Sequence, residues 1–278
     1  MLKTVFFGSS KFVIPIIETL KDNFKLSLVI TTERELNSPI VSYCKMHKLH
    51  YYIVLEYRKQ KNEIIKIIQS TKATLGVLAS FGAIIPNEVL NLFPHGIINI
   101  HPSLLPKYRG PTPVQTAILN GDKTTGVTII KLDEQVDHGP ILAQKKELIE
   151  KNDTAESLYE RLFKLSASSI VDTIELYLKG KIKLIKQNHD KATFTKKLSR
   201  VDGHINLQNP PSPKILDRMV RAYYPWPSTW TELRIKNHEL RIKFLPEKKI
   251  QVEGKKPMSY KDFINGYPEA RGLIEKLT

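Results

Sequence analysis

The stretch Asn99-Ile100-His101-Pro102-Ser103-Leu104-Leu105-Pro106-Lys107-Tyr108-Arg109-Gly110 carries the densest chemical content of the 278-residue chain. It leaves the end of an apolar run that reads as a buried strand, and in an open parallel sheet the ligand crevice lies outside such strand ends. Asn99 and His101 are two residues apart, so both side chains leave the same face of an extended chain. Pro102 keeps His101 extended and Pro106 stiffens the loop that follows. A second polar stretch, Asp133-Glu134-Gln135-Val136-Asp137-His138-Gly139-Pro140, joins two later strand candidates. A carboxylate from this loop can reach the imidazole and set its tautomer. An amide donor, an imidazole and a carboxylate, with no serine or cysteine nucleophile beside them, suit direct transfer of an acyl group from a carrier to an amine. Asn99 and His101 would donate hydrogen bonds where oxyanion charge develops, and Asp137 would assist removal of the amine proton. Taken singly, each residue also has a structural reading: a satisfied buried histidine, a strand-end asparagine, a turn aspartate. His95 and His138 read as turn residues.

Other chemistries find little support. The first strand-to-helix turn, Phe7-Gly8-Ser9-Ser10, lacks the spaced glycines that admit a pyrophosphate, and no Gly-Lys-Ser/Thr phosphate loop occurs. The eight histidines are dispersed without a zinc-ligand spacing, so no metal is expected. No nucleophile elbow is present. A single cysteine, Cys44, excludes an internal disulfide framework and reads as a small packed residue. No apolar run reaches transmembrane length and the first residues read as a strand, so a cytoplasmic (or organellar-matrix) protein without a membrane partner is expected.

Charge is unevenly placed. The chain has 43 Lys and Arg against 28 Asp and Glu, a net charge of +15, and is 41% hydrophobic. Residues 1–190 account for +6, whereas residues 191–278 carry +9 on less than a third of the length. Such density in the tail suits a polyanion, with nucleic acid the usual one. A generally lysine-rich composition is the alternative source.

The elements that must position these groups follow from periodicity. Val5–Phe7, Leu26–Ile30, Gly76–Ala79 and Ile97–Ile100 are short apolar runs, with helix candidates near 11–22, 38–48 and 57–69. Apolar strands separated by helices indicate a mostly parallel sheet covered on both faces, an α/β class of Rossmann-like form. A strand pair, Gly126–Leu132 and Gly139–Leu148, follows. The clearest helix spans about Thr154 to Lys179, with Asp153 and Glu156 expected as its capping box and Gly180 as its stop. Residues 181–204 are basic, polar and aperiodic and read as a linker. Beyond them, proline-punctuated strand candidates at Trp230–Ile235, Leu240–Phe244 and Lys249–Val252 suggest a small β-rich barrel or sandwich.

With these residues in view, Asn99-x-His101-x-Ser103-Leu104-Leu105-Pro106 resembles the signature of the enzymes that use 10-formyltetrahydrofolate as formyl donor. Asp137 and Gly139 stand where that family has its Asp-x-Gly loop. Ala79-Ser80-Phe81-Gly82-Ala83-Ile84-Ile85-Pro86 looks like its folate-side loop. The resemblance implies that Asn99, His101 and Asp137 fill the catalytic places. It also implies that Phe81, Gly82 and Ile84, with Ser103, Leu104, Leu105 and Pro106, contact the folate.

The segment Gly110–Ile118 resembles the methionyl-tRNA formyltransferase branch. Ala192–Ser199 is similar to that branch's interdomain linker, and Arg221–Pro227 and Gly254–Met258 to parts of its OB-like C-terminal domain. The implied organisation is a formyltransferase catalytic domain over 1–183, a linker over 184–204 and an abbreviated, tRNA-contacting OB-like domain over 205–278. The implied partners of what would be a monomer are initiator methionyl-tRNA and folate. Two stretches depart from the branch: the loop Thr31–Pro39 is several residues short with only Arg34 basic, and residues are missing between about Phe244 and Lys249.

Two other functions stay open on sequence alone. A formyltransferase acting on a small amine such as an amino sugar nucleotide would share the chemistry. An RNA-associated binding protein on an inactive transferase scaffold would share the fold. Lys107 and Arg109 read either as phosphate-attracting groups or as solvated loop charges, and Trp226 and Trp230 as core anchors rather than base-stacking platforms.

Overall fold

The computed structural model describes residues 1–33, 35, 37–235 and 238–277. Arg34, the basic residue of the shortened loop, lies outside them. In chain order the first elements are β1 (Lys3–Gly8), α1 (Ile14–Asn23), β2 (Lys25–Thr31), α2 (Pro39–Met46), β3 (Tyr51–Ile53) and α3 (Tyr57–Thr71). There follow β4 (Leu75–Ala79), the short α4 (Asn87–Leu90), β5 (Ile97–His101), α5 (Pro113–Asn120), β6 (Thr124–Lys131), β7 (Ile141–Leu148) and the long α6 (Ala155–Leu178).

Strands β1 to β7 form one sheet in the order β3-β2-β1-β4-β5-β6-β7. Strands β1 to β5 are mutually parallel and β6 runs antiparallel to β5. The chain therefore starts in the middle, builds outward to β3, then crosses to the other side of β1 to lay down β4. That reversal is the switch point at which doubly wound sheets open a crevice beyond their strand ends. The central strands are buried nearly throughout, which is why they are continuous apolar runs rather than alternating ones. On β7, by contrast, Gln144–Glu147 carries polar and charged side chains, a pattern that discourages further strand addition at an edge.

One core cluster gathers Val5, Phe7, Ile30, Ile64, Ile68, Phe81, Phe93 and Ile97. Within it the Phe7 ring meets Phe81 and Phe93 edge-on, at 5.5 and 6.1 Å between centroids. Cys44 packs fully buried in α2, where burial pushes its thiol up to about 11, away from reactivity.

A second compact unit comprises Thr112–Thr124, Leu148–Leu158 and Lys196–Thr278. It contains α7 (Pro213–Ala222), β8 (Thr229–Ile235), β9 (His238–Leu245), β10 (Lys249–Val252), β11 (Met258–Ser259), α8 (Tyr260–Gly266) and α9 (Arg271–Leu277). Its four strands form a sheet in the order β11-β10-β9-β8, antiparallel at each pairing. Ile242, Phe244, Ile250, Val252 and Phe263 centre its core. The α/β class with a mostly parallel sheet, followed by a small β-rich unit, is thus what the chain adopts.

Several details differ from the pattern read in the sequence. Strand β3 has three half-buried residues, too few to show a period. Helices α7, α8 and α9 share the tail with its strands. The helix expected to be capped by Asp153 is capped by Thr154: its Oγ1 accepts from the Ser157 amide at 3.1 Å, while Ser157 Oγ accepts from the Thr154 amide at 3.0 Å. Asp153 is instead turned inward, accepting from the Glu150 amide at 2.7 Å and from Ser157 Oγ at 3.0 Å. Where residues are missing after Phe244, β9 and β10 pair from Leu245↔Lys249, so Pro246–Lys248 close a tight hairpin. Neither tryptophan is a core anchor: Trp226 is 57% exposed, and Trp230 lies half-buried on the outer face of the small sheet.

The reassigned cap has a measurable consequence. Thr154→Ala is expected to cost about 1 kcal/mol in urea unfolding, the ordinary value of a lost N-cap. A change below about 0.3 kcal/mol would show that this bond does not hold the helix start.

Candidate active site

The two polar residues of β5 emerge at the carboxyl end of the sheet because β5 ends there. Asn99 pairs with Leu78 of β4 on one side and with Ile130 of β6 on the other, and His101 stands opposite Thr128. Both are 5% exposed, and Asp137, from the loop between β6 and β7, is 8% exposed. The structure brings the three together. Asn99 Nδ2 donates to Asp137 Oδ1 at 3.0 Å, and the Gly110 amide donates to Oδ2 at 2.8 Å. His101 Nδ1 lies 3.4 Å from the same Oδ2. On its other side His101 Nε2 is 2.8 Å from the Tyr108 carbonyl. A carbonyl only accepts, so Nε2 bears the proton there, and a neutral ring then turns a lone pair toward Asp137.

The loop that delivers Asp137 depends on close packing. Asp137 takes φ of 51°, a left-handed conformation uncommon for a residue with a side chain. Two residues on, a Cβ at Gly139 would lie 1.8 Å from the Lys131 carbonyl oxygen, so only glycine lets the loop re-enter beside β6. Gly110, whose amide reaches Asp137, has φ of 101° and also needs the freedom of glycine.

Asn99 and Asp137 face a cleft of roughly 320 Å³ lined by Leu78 of β4, residues 82–85, Gly110, Pro111 and the loop after β6. Its walls are mainly apolar, from Leu78, Ile85, Leu90 and Leu132. Ile84 and Val136 at its rim are 76% and 53% exposed, an arrangement that favours a ligand with an apolar face. Among the donor-side residues expected from sequence, Gly82 and Ile84 line this cleft. Phe81 lies beneath it in the core, where its carbonyl accepts from Thr32 Oγ1 at 3.1 Å. Ser103, Leu104, Leu105 and Pro106 are not among the lining residues. Ser103 is fully buried with its hydroxyl donating to the Lys107 carbonyl at 2.6 Å, and Leu105 packs on Ile130 and Ile141. His101 stands one layer behind Asn99 and Asp137.

The sequence missed the groups that hold the site from behind. Arg109 is a buried cation, 3% exposed, rather than a solvated loop charge. Its Nη2 donates to Gln187 Oε1 at 2.7 Å and to His189 Nδ1 at 2.9 Å. Burial lowers the pKa of this guanidinium, against the pull of Asp137 and Asp133. His189 stacks on His138 at 4.0 Å, and His138 Nδ1 reaches Asp133 Oδ2 at 2.6 Å. Gln187 and His189 lie in a stretch without apolar period, and no local signal marked them. Among the described residues, no group of three or more His, Cys, Asp and Glu side chains is arranged to hold a metal ion. No helix of the described residues is long and apolar enough to cross a membrane.

Two tests follow from this geometry. Gly139→Ala forces a Cβ into a backbone oxygen and is expected to destabilise the protein by about 1–3 kcal/mol in urea titrations. A neutral result would mean that the loop can re-route freely. His189 is held below its ordinary pKa by partial burial, then by His138, Arg109 and Lys186. A depressed histidine contributes stability above the unfolded value near 6.5 and loses it as pH falls through the lower folded value. Between pH 7.5 and 5 the wild type should therefore lose more stability than His189→Gln, and equal losses would contradict the assignment.

The sequence model of the family described as formyl transferase matches residues 3–174. The chain is 37% identical to a methionyl-tRNA formyltransferase of Chloroflexus aggregans over 83% of this chain and 76% of that one. It is 33% identical to a methionyl-tRNA formyltransferase of Thermodesulfovibrio yellowstonii over 97% of both chains. Among solved structures it resembles a sugar N-formyltransferase from a Shewanella species, with a TM-score of 0.67 and 23% identity over 89% of this chain and 98% of that one. At that identity the likeness speaks for the fold.

Proposed function

Since the chain belongs to the formyl transferase family, we propose that it transfers the formyl group of 10-formyltetrahydrofolate to the α-amine of methionyl-initiator tRNA. The observation that carries this reading is the convergence of Asn99 and Asp137 on an apolar cleft, with His101 directly behind them against the same carboxylate. The walls of that cleft suit a flat heterocycle, and the folate brings to it an activated one-carbon unit. The proposed donor contacts are Gly82 and Ile84, with Phe81 beneath them and the Ser103–Pro106 loop supporting β5 and β6 nearby.

The residues then divide the work by their hydrogen-bonding capacity. Asn99 has two N–H groups and gives one to Asp137, which leaves the second for the formyl oxygen as negative charge develops on it. His101 supplies a further donor at that oxygen by exchanging its bond to the Tyr108 carbonyl for one to the substrate. Asp137 accepts the proton lost by the attacking amine, directly or through water.

For the acceptor, the support is the named relatives together with charge. The proposed catalytic domain spans 1–183, and 205–278 form the tRNA-contacting part beyond a connecting segment, 184–204. On the outer face of the antiparallel sheet Trp230 lies beneath Arg241 and Arg200, at 5.2 and 5.6 Å from ring centroid to guanidinium carbon. Lys243 stands beside them on the same face, opposite Trp230. The reading carries with it action as a monomer in the cytoplasm.

Purified protein incubated with charged initiator tRNA and 10-formyltetrahydrofolate is expected to yield formylmethionyl-tRNA. His101→Ala should lower the rate by a factor on the order of 100 or more. No product at any protein concentration would refute the assignment, and strong turnover of a small amine with indifference to tRNA would transfer it to another acceptor. Binding of tRNA should weaken steeply with salt, and an affinity independent of salt would remove the basic tail from the argument.

A further inference from the structure

Gln187 is 4% exposed, and a buried primary amide must satisfy two N–H donors and a carbonyl oxygen. Its Nε2 donates to the Asp137 carbonyl at 2.9 Å and to the Gly139 carbonyl at 2.7 Å. Its Oε1 accepts from Arg109 Nη2 at 2.7 Å and from Arg109 Nε at 3.3 Å. The orientation of the amide is set by these partners, because carbonyls on one side require donors and the guanidinium on the other requires an acceptor. The side chain thus ties both flanks of the Asp137 turn to the loop that follows β5.

The same segment grips that loop a second time. The Arg109 amide donates to the Thr193 carbonyl at 2.8 Å, and the Thr195 amide donates to the Arg109 carbonyl at 2.8 Å. The Tyr108 amide donates to Thr193 Oγ1 at 2.8 Å. Tyr108 has φ of 62°, and its carbonyl is the partner of His101. Two residues in the left-handed region, Asp137 and Tyr108, therefore present the groups on which His101 and the carboxylate depend. Each such conformation is strained for a residue with a side chain and persists only where surrounding contacts over-determine it. For Asp137 those contacts include Gln187, and for Tyr108 they include Thr193.

We propose that Gln187, seconded by Thr193, is a positioning residue for the transfer reaction: residues 187–195 strap the loop after β5 to the Asp137 turn and fix the carboxylate against Asn99 and His101. The proposal rests on the reading that these three residues carry formyl transfer. Neither Gln187 nor Thr193 lines the cleft, so the strap acts through Asp137 and Tyr108 rather than on the substrate. Loss of the Gln187 donors leaves two buried carbonyls unpaired beside a carboxylate whose placement decides the rate, and misplacement by about 1 Å is enough to cost a factor near 100.

The test compares Gln187→Ala, Gln187→Glu and Thr193→Val with wild type in the full-length chain, following steady-state kinetics and amide hydrogen exchange at Gly110. Gln187→Ala is expected to lower kcat by about 10- to 100-fold while KM for donor and tRNA stays within about threefold. The Gly110 amide, whose acceptor is Asp137, should exchange roughly tenfold faster, with β1 and β4 unchanged. Gln187→Glu keeps a partner for Arg109 but has no N–H groups, so it should behave like Gln187→Ala. Thr193→Val keeps the backbone bonds, removes one acceptor, and should lower kcat by about three- to tenfold. A merely structural brace would instead speed exchange throughout the sheet and leave kcat per folded molecule intact, which would overturn the proposal. Wild-type kcat and wild-type Gly110 exchange in a folded Gln187 variant would overturn it as well. Should Gln187→Ala not fold, Gln187→Glu and Thr193→Val give the same readouts. Should the wild type itself transfer no formyl group, the functional reading fails, while Gly110 exchange still decides whether Gln187 holds the loop.

Discussion

The carboxylate of Asp137 is the point on which the site is built. Its two oxygens meet an amide side chain, a backbone N–H and an imidazole, contributed by a strand end and the loop beyond it. A buried anion is tolerated only where donors replace water, and Asn99 Nδ2 and the Gly110 amide are the donors that Asp137 meets, with the His101 ring beside them. This explains the backbone around it. Asp137 adopts a left-handed conformation, Gly139 passes within contact of a β6 carbonyl, and Gly110 turns its amide inward. The polar cluster is therefore also a structural element, joining β5 to the connection between β6 and β7.

In the proposed reaction the fold supplies the place and the cluster supplies the chemistry. The cleft is lined from β4, from the segment after it and from Asn99 of β5, and the loop that follows antiparallel β6 supplies the facing wall. Apolar walls at the cleft and polar groups at its floor separate binding from reaction. Binding a flat apolar donor requires area removed from water, whereas the reaction requires donors aimed at one developing charge. Neither half alone would distinguish a transferase from a binding protein. The family match over residues 3–174 and relatives matched over most of their length give the combination its context.

Much of this was legible in the residues. The continuous apolar runs announced a parallel sheet because strands covered on both faces have no polar side to alternate. The i, i+2 spacing of Asn99 and His101 put both on one face of β5, since the strand period is two. What stayed hidden has physical causes. Three-residue β3 is too short to show a period. The Asp153 side chain looked like a helix cap, yet Thr154 and Ser157 satisfy the amides more directly. Arg109 read either as a phosphate-attracting group or as a solvated loop charge, because nothing local marks a guanidinium whose acceptors lie nearly eighty residues away at Gln187 and His189. Residues 187–195 looked like a linker because a strap held by individual hydrogen bonds needs no apolar stripe and leaves none in the sequence.

The most direct test of the account is the single-turnover rate of formyl transfer by Asp137→Asn with both substrates saturating. The substitution keeps the size of the side chain and an acceptor oxygen for Asn99 or Gly110 while removing the charge and the basic group. The account requires the rate to fall by a factor on the order of 100 or more with substrate affinities little changed. A rate within about twofold of wild type would contradict it, since the carboxylate would then be a strut of the loop and not part of the chemistry.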